Sequence, residues 1–262
     1  MKNLSSAAAA LFVLIFAATP ALAQEERKDL RVRVGLGAQF KPAYPGADKA
    51  DLRPLFDFDL AKGTEEFRIE TPDDRFGVRL VSAGRLSAGA VASYQGSRKD
   101  KDVGAPVGKV DASIELGGYA DYLVNDSLRV RGELVKGVTG HEGIAGQVGV
   151  DHFWRDGDRY AVTLGPRLLF SDAKYQRAYF GVSPAAAAAT GLSAYRPGGG
   201  IHAVALASGV QTQFGPRWGL FGYARAERLI GDAAKSPLVR TYGSRNQLSA
   251  GAGISYAFTV KR

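Results

Sequence analysis

The sequence predicts an all-β fold: a transmembrane, antiparallel, up-and-down β-barrel of about twelve strands. Three observations support this prediction. Segments with period-two alternation of apolar and polar residues fill the chain after residue 29. The connections between these segments are short and long in turn, and aromatic residues gather near the ends of the apolar faces. Together these features are typical of barrels with tight turns on one side of a membrane and long loops on the other.

Composition excludes several other classes of protein. The 262 residues contain no cysteine, so disulfide frameworks and thiolate metal or redox sites are excluded. The 33 glycines are neither arranged in a collagen-like repeat nor accompanied by a loss of aromatic residues, so the chain is expected to fold.

The first 23 residues have the pattern of a cleaved signal peptide. Lys2 provides the positive start, Ala7–Ala18 form an apolar run, and Ala21-Leu22-Ala23 match the small-x-small cleavage pattern. The alternative is a membrane anchor, but the run is shorter than the roughly 20 residues of a spanning helix. We expect cleavage before Gln24 and a mature barrel domain of residues 24–262, exported from a bacterial cytoplasm.

Each predicted strand presents one apolar face and one small, polar or charged face. In the first strand, for example, Leu30, Val32 and Val34 alternate with Arg31, Arg33 and Gly35. The predicted strands are 30–38, 52–60, 66–71, 75–82, 85–95, 109–124, 127–138, 144–154, 159–171, 199–213, 217–231 and 246–258. Alternate connections contain 13, 3, 13, 5, 27 and 14 residues, whereas those between them contain only 2 to 5.

Aromatic positions favour a membrane barrel over a soluble barrel or sandwich, in which the apolar faces would turn inward. Six aromatic residues with apolar-face parity lie at the strand ends that meet the tight turns: Tyr122, Trp154, Tyr160, Trp218, Tyr256 and Phe258. Tyr94 and Phe170 lie at the opposite ends. Two such rings match the aromatic girdles of membrane interfaces.

The polar faces carry many charges of both signs, which the barrel would turn toward its lumen. The candidate lumen charges are Arg31, Arg33, Asp57, Asp59, Arg79, Glu115, Arg129, Arg131 and Arg167. Pairing across strands would give an ion-paired, nearly closed interior. The alternative is an arginine-lined path for small anions, and the sequence leaves both open.

Nothing in the sequence indicates catalysis, and we expect no catalytic residue, cofactor or metal. The histidines are His141 in a loop, His152 on the lipid-facing side and His202 with lumen parity. Ser208 is too far along the same strand to pair with His202, and no helical zinc-protease pattern follows His141. Nucleic-acid binding is not expected either, since no basic cluster is interleaved with aromatic residues.

Two motifs resemble those of the MipA/OmpV family of outer-membrane proteins. The first is Gly35-Leu36-Gly37, Pro42-Ala43-Tyr44-Pro45-Gly46-Ala47-Asp48 and Arg53-Pro54-Leu55-Phe56. The second is Tyr175, Tyr179-Phe180-Gly181-Val182-Ser183-Pro184, an alanine run, Gly191-Leu192 and Tyr195. The resemblance implies a non-catalytic scaffold that joins a lytic transglycosylase to a penicillin-binding protein in peptidoglycan growth, in contact with outer-membrane lipid and lipopolysaccharide. Other members are antigens or adhesins.

Both motifs also have a local physical interpretation. Pro45 fixes φ and Gly46 permits a positive φ, so the first loop should be rigid. It could serve either as a cap on the barrel or as a ligand contact. Ser183 and Pro184 are expected to start a helix of about two turns that ends near Gly191. A helix this short needs packing partners. We therefore expect this loop to fold over the barrel mouth; the alternative is a mobile loop that extends into the extracellular medium.

From these observations we expect an adaptor that acts through its turns and loops. The alternatives are a narrow channel for small, anionic solutes and a surface adhesin.

Overall fold

A computed structural model describes residues 29–68, 71 and 73–261; the predicted signal peptide, residues 1–23, lies outside them. The described strands are β1 Leu30–Pro42, β2 Ala50–Lys62, β3 Phe76–Ala83, β4 Leu86–Gln95, β5 Ser113–Asn125, β6 Leu128–Gly137, β7 Ile144–Asp156, β8 Tyr160–Ser171, β9 Gly200–Gln213, β10 Trp218–Leu229 and β11 Asn246–Val260. The helices are α1 Asp100–Val103, α2 Ala173–Phe180, α3 Pro184–Thr190, α4 Gly231–Lys235 and α5 Pro237–Tyr242. None of the helices in this part of the chain has the length and apolar character needed to cross a membrane.

The strands form one antiparallel sheet in the order β2-β1-β11-β10-β9-β8-β7-β6-β5-β4-β3. Strand β1 pairs with both β2 and β11, so the first and last strands of the chain meet; Val34, for example, lies opposite Tyr256. The tight-turn end carries the connections 84–85, 126–127, 157–159 and 214–217. The long-loop end carries the connections 43–49, 96–112, 138–143, 172–199 and 230–245.

The apolar faces of the strands point outward. Leu36, Phe56 and Leu206 are 63%, 67% and 52% exposed, whereas most charged residues on the opposite parity, such as Arg129 and Asp151, are buried. Trp154 and Trp218 are also about half exposed at the tight-turn end, as the girdle pattern predicted. An apolar exterior around a charged interior is the arrangement of a transmembrane barrel. The soluble alternative, with apolar faces inside, is therefore wrong.

The predicted strand 66–71 is not observed. Residues 66–68 and 71 are not strand, and residues 69–70 lie outside the described residues. The described residues between β2 and β3, which are 63–68, 71 and 73–75 and which we name the inner segment, instead contact the lumen side of the sheet. Phe67 does so at the tight-turn end, and Asp73 and Asp74 do so near the middle. Phe67 shows why the pattern misled: its ring is buried between the guanidinium groups of Arg31 and Arg33, 4.6 and 4.8 Å from their carbons, rather than facing lipid.

The inner segment changes the closure of the barrel. Because it returns the chain toward the long-loop end, β2 and β3 both run toward the tight-turn end, and the described part of the chain has eleven strands rather than twelve. No ladder joins β2 to β3 among the described residues. The two edges approach each other at Phe58 and Phe76, whose ring centroids are 6.2 Å apart.

Candidate functional site

The first part of the inner segment closes the tight-turn end of the lumen. Asp158, in the turn after β7, accepts a hydrogen bond from the backbone N–H of Phe67 at 2.9 Å and forms an ion pair with Arg31. Arg155 donates to the carbonyl oxygen of Phe67 at 2.6 Å. Backbone and side-chain contacts from β1, β7 and the turn after β7 therefore hold this end shut.

The second part of the inner segment is held by buried ion pairs in the middle of the lumen. Asp74 lies 2.8 Å from Arg129. Asp73 lies 3.2 Å from both Arg167 and Arg225, which come from β8 and β10. Each guanidinium has a carboxylate partner, which is the condition for tolerating buried charge.

Wall residues extend this network. Asp151 on β7 bridges Arg129 and Arg167, at 2.7 Å from each. Arg131 pairs with Glu133 at 2.8 Å, and its guanidinium lies 4.0 Å from the ring centre of Tyr119. Ion pairs that share partners in this way stabilise one another, because each hydrogen bond holds its side chains in position for the next one.

Most of the predicted lumen charges belong to this interior. Buried residues among them are Arg33, Asp59, Glu115, Arg129, Arg131 and Arg167. Arg31 and Asp57 are partly buried and also ion-paired. Arg79 differs, since it is exposed beside a bulge in β3. Asp73, Asp74 and Arg225 were not among the residues predicted from the sequence. Two adjacent acidic residues directly before Arg75 were the signal that could have indicated an ion-paired segment.

The long-loop end is covered by a loop cap, defined as residues 43–49, 172–199 and 230–245. Tyr44, Tyr179 and Phe180 are 3%, 0% and 0% exposed, and they pack with Leu229 and Val239 in one apolar cluster. Burial raises the pKa of Tyr179 to about 12, so its hydroxyl stays neutral. The loops therefore fold into the barrel mouth rather than extending from it.

The local chemistry of the second motif produces the expected helix. The Ser183 hydroxyl accepts from the Ala186 N–H at 3.1 Å, Pro184 is the first residue of α3, and Gly191 ends it with φ of 74°. The preceding helix α2 was not predicted, although Asp172 caps it by accepting from the Tyr175 N–H at 2.8 Å. Gly181 follows α2 and joins the two helices.

The two histidines near the cap are buried in hydrogen-bonded sites. His141 Nε2 lies 3.0 Å from Glu115 Oε1, and its ring meets that of Tyr175 edge-on. His202 Nδ1 lies 3.0 Å from Ser171 Oγ on the neighbouring strand. The sequence analysis considered only Ser208, on the same strand, as a partner for His202 and so missed this pair. Among the described residues, no group of three or more His, Asp or Glu side chains is placed to hold a metal ion.

Gly46 gives a direct test of cap packing. Its φ is 90°, and a Cβ there would lie 3.1 Å from Val239 and 3.3 Å from Phe180. Gly104 has a similar φ of 82° but nothing within 4 Å. We therefore expect Gly46→Ala to lower the free energy of unfolding by about 1–3 kcal/mol more than Gly104→Ala, because only the first change overpacks the cap. Equal losses in denaturant titrations would contradict tight packing at Gly46.

A cavity of about 1260 Å³ lies beneath the cap, on the side of β2 and β4. This volume exceeds the roughly 300–1,000 Å³ of ordinary small-molecule sites. Its polar wall includes Gln39, Lys41, Arg53, Tyr223 and Arg225.

An apolar exterior, an ion-paired interior and a folded loop cap together define a membrane β-barrel protein. A family model described as MltA-interacting protein MipA matches residues 34–258, so the chain belongs to this family. The resemblance seen in the two motifs is thereby confirmed.

Comparison with solved structures finds outer-membrane barrels at low identity. An outer-membrane channel from Pseudomonas putida is 9% identical with a TM-score of 0.40, covering 92% of this chain and 100% of that one. Neisserial surface protein A is 12% identical with a TM-score of 0.30, covering 87% and 97%. The DcaP channel of Acinetobacter baumannii is 10% identical with a TM-score of 0.35, covering 88% and 96%. A search of curated proteins finds no match.

Proposed function

We propose that the protein is a non-catalytic adaptor in the bacterial outer membrane, which holds a lytic transglycosylase and a penicillin-binding protein at its tight-turn end. In outer-membrane barrels the tight turns face the periplasm, where the cell wall lies. The observation that carries the proposal is the closure of this end by the inner segment, through Arg31, Arg155 and Asp158. A closed end offers a fixed polar surface rather than an exit for solutes. The family description, which names an interaction with MltA, supports the same role.

The surface available to a partner is shallow but charged. Asp156 and Arg159 flank the turn after β7, and their side chains are 55% and 79% exposed. Glu66 of the inner segment, 55% exposed, pairs with Arg155 beside this turn. We expect a partner to contact the turn and the inner segment together.

Site-specific crosslinking tests the adaptor role. The chain lacks cysteine, so Asp156→Cys introduces a single attachment point at the tight-turn end. Its matched control, Glu142→Cys, places the thiol at the long-loop end, where Glu142 is 58% exposed. With a thiol-reactive photocrosslinker, we expect adducts with cell-wall enzymes from Asp156→Cys alone. Adducts of equal yield from both sites, or none from either, would contradict the proposal.

The second candidate is a narrow anion channel, favoured by the cationic cavity. We expect the wild-type protein to be electrically silent in planar bilayers, since the inner segment fills the path below the cavity. The double variant Asp73→Asn with Asp74→Asn should raise conductance, because it removes the charges that hold the inner segment to Arg129, Arg167 and Arg225. Steady anion-selective conductance of the wild type would favour the channel and contradict the closed barrel.

A further inference from the structure

The cavity reaches the outside of the barrel between β2 and β4. In a closed sheet only alternate residues of a strand face the interior. Here consecutive residues of both strands, 54–58 and 92–95, line the cavity. The cavity therefore passes around the two strand edges, and we name this passage the lateral window.

Two contacts between strands β2, β3 and β4 and their loops mark the lateral window. At the top, Arg53 of β2 donates to the Ala43 carbonyl at 2.6 Å and lies against Gly96 after β4, where a Cβ would be 3.1 Å from its guanidinium. At the bottom, Phe58 and Phe76 are in contact. Phe56 and Tyr94 stand beside the window on the apolar exterior, 67% and 64% exposed. The cavity is thus continuous with the surface that faces lipid.

Lys41 gives the cavity a cation that has no direct ion-pair partner among the described residues. Its side chain lines the cavity, and among the described residues it has no hydrogen bond or ion pair. Nearby Arg75 and Arg225 are already paired, with Glu133 at 2.9 Å and with Glu227 at 2.8 Å. A partly buried ammonium without a carboxylate in direct contact is costly, so an anionic group entering the cavity would be stabilised at Lys41.

We propose that the lateral window and cavity bind a long-chain fatty acid, with its carboxylate at Lys41 and its hydrocarbon chain passing between Phe56 and Tyr94 into the bilayer. Among the described lysines that line the cavity, Lys41 is half-buried, whereas Lys49, Lys99 and Lys101 are exposed. A single carboxylate therefore suits the interior position of Lys41. Asp51 and Glu227 also line the cavity and would repel a doubly charged phosphate group more strongly than a singly charged carboxylate. This site is independent of the adaptor surface at the other end of the barrel.

Fluorescence binding in nanodiscs of neutral phosphatidylcholine tests the head-group site. The probe is dansyl-labelled undecanoic acid, compared with its methyl ester. We expect Lys41→Met to weaken binding of the acid by about tenfold or more, to the level of the ester, as for loss of one charge-assisted hydrogen bond. The control Lys109→Met, at an exposed lysine paired with Asp111, should bind as the wild type does.

A second pair of variants tests the lateral window itself. Ala92→Trp places a large ring in the window, whereas Ala88→Trp places the same ring lower on β4, where β3 and β5 flank the strand. Only Ala92→Trp should abolish binding of both probes. Heat-modifiable migration on gels shows that each variant is folded.

The proposal is overturned if Lys41→Met binds the acid like the wild type, or if the two tryptophan variants behave alike. It is also overturned if inorganic phosphate or a lysophospholipid displaces the probe better than palmitate does, since the ligand would then be a small anion or a phospholipid.

Discussion

Replacing Arg129 by methionine is expected to lower the free energy of unfolding by about 3–5 kcal/mol, the cost of breaking a buried ion pair from one side. The guanidinium lies 2.8 Å from Asp74 and 2.7 Å from Asp151, and Arg129 is only 3% exposed. Its removal leaves two carboxylates that share their remaining cations in a poorly solvated lumen. Urea titration in detergent micelles, followed by the fluorescence of Trp154 and Trp218, measures the loss.

Arg159→Met is the matched control, because it removes the same side chain from an exposed pair. Arg159 lies 3.4 Å from Asp156 and is 79% exposed, so its loss should leave the free energy of unfolding within experimental error. If both variants unfold at the same urea concentration, the lumen ion pairs do not stabilise the barrel.

Replacing Phe180 by alanine is expected to open the loop cap while leaving the strands intact. The side chain is fully buried, and its ring lies 6.1 Å from that of His202 and against Gly46. Truncating a buried phenylalanine costs about 3–5 kcal/mol, and here the cost falls on the helices of the cap rather than on the strands. Trypsin cleavage at Lys174 and Arg177 should therefore accelerate by about a hundredfold or more.

Phe214→Ala provides the comparison for this prediction. Phe214 is 66% exposed in the turn after β9, so its truncation should not change cleavage in the cap. Cleavage of Phe180→Ala at the wild-type rate would show that the cap is held by contacts other than this ring.

Local patterns in the sequence determined the strands, their outward faces and one helix. Period-two alternation gives each strand two faces whatever its neighbours are, so Leu36 and Leu206 could be assigned to the exterior. The Ser183 cap and the proline that follows it depend only on adjacent residues, so α3 could be placed as well. The same alternation predicted a strand at 66–71, where residues 66–68 and 71 are not strand. Alternation shows which residues share a face but not what that face contacts.

Only the tertiary structure revealed the contacts between residues that are far apart in the sequence. Asp74 and Arg129 are 55 positions apart, and their pairing depends on a segment that turns into the lumen rather than joining the sheet. The lateral window follows from the same choice, because β2 pairs only with β1 and the end of β4 after Ala92 pairs only with β5 among the described residues, which leaves their facing edges unpaired. Ser171 and His202 meet only through the pairing of β8 with β9. Local sequence propensity cannot predict such pairings, because the interactions become favourable only when the folded barrel brings the partner residues together and shields them from water.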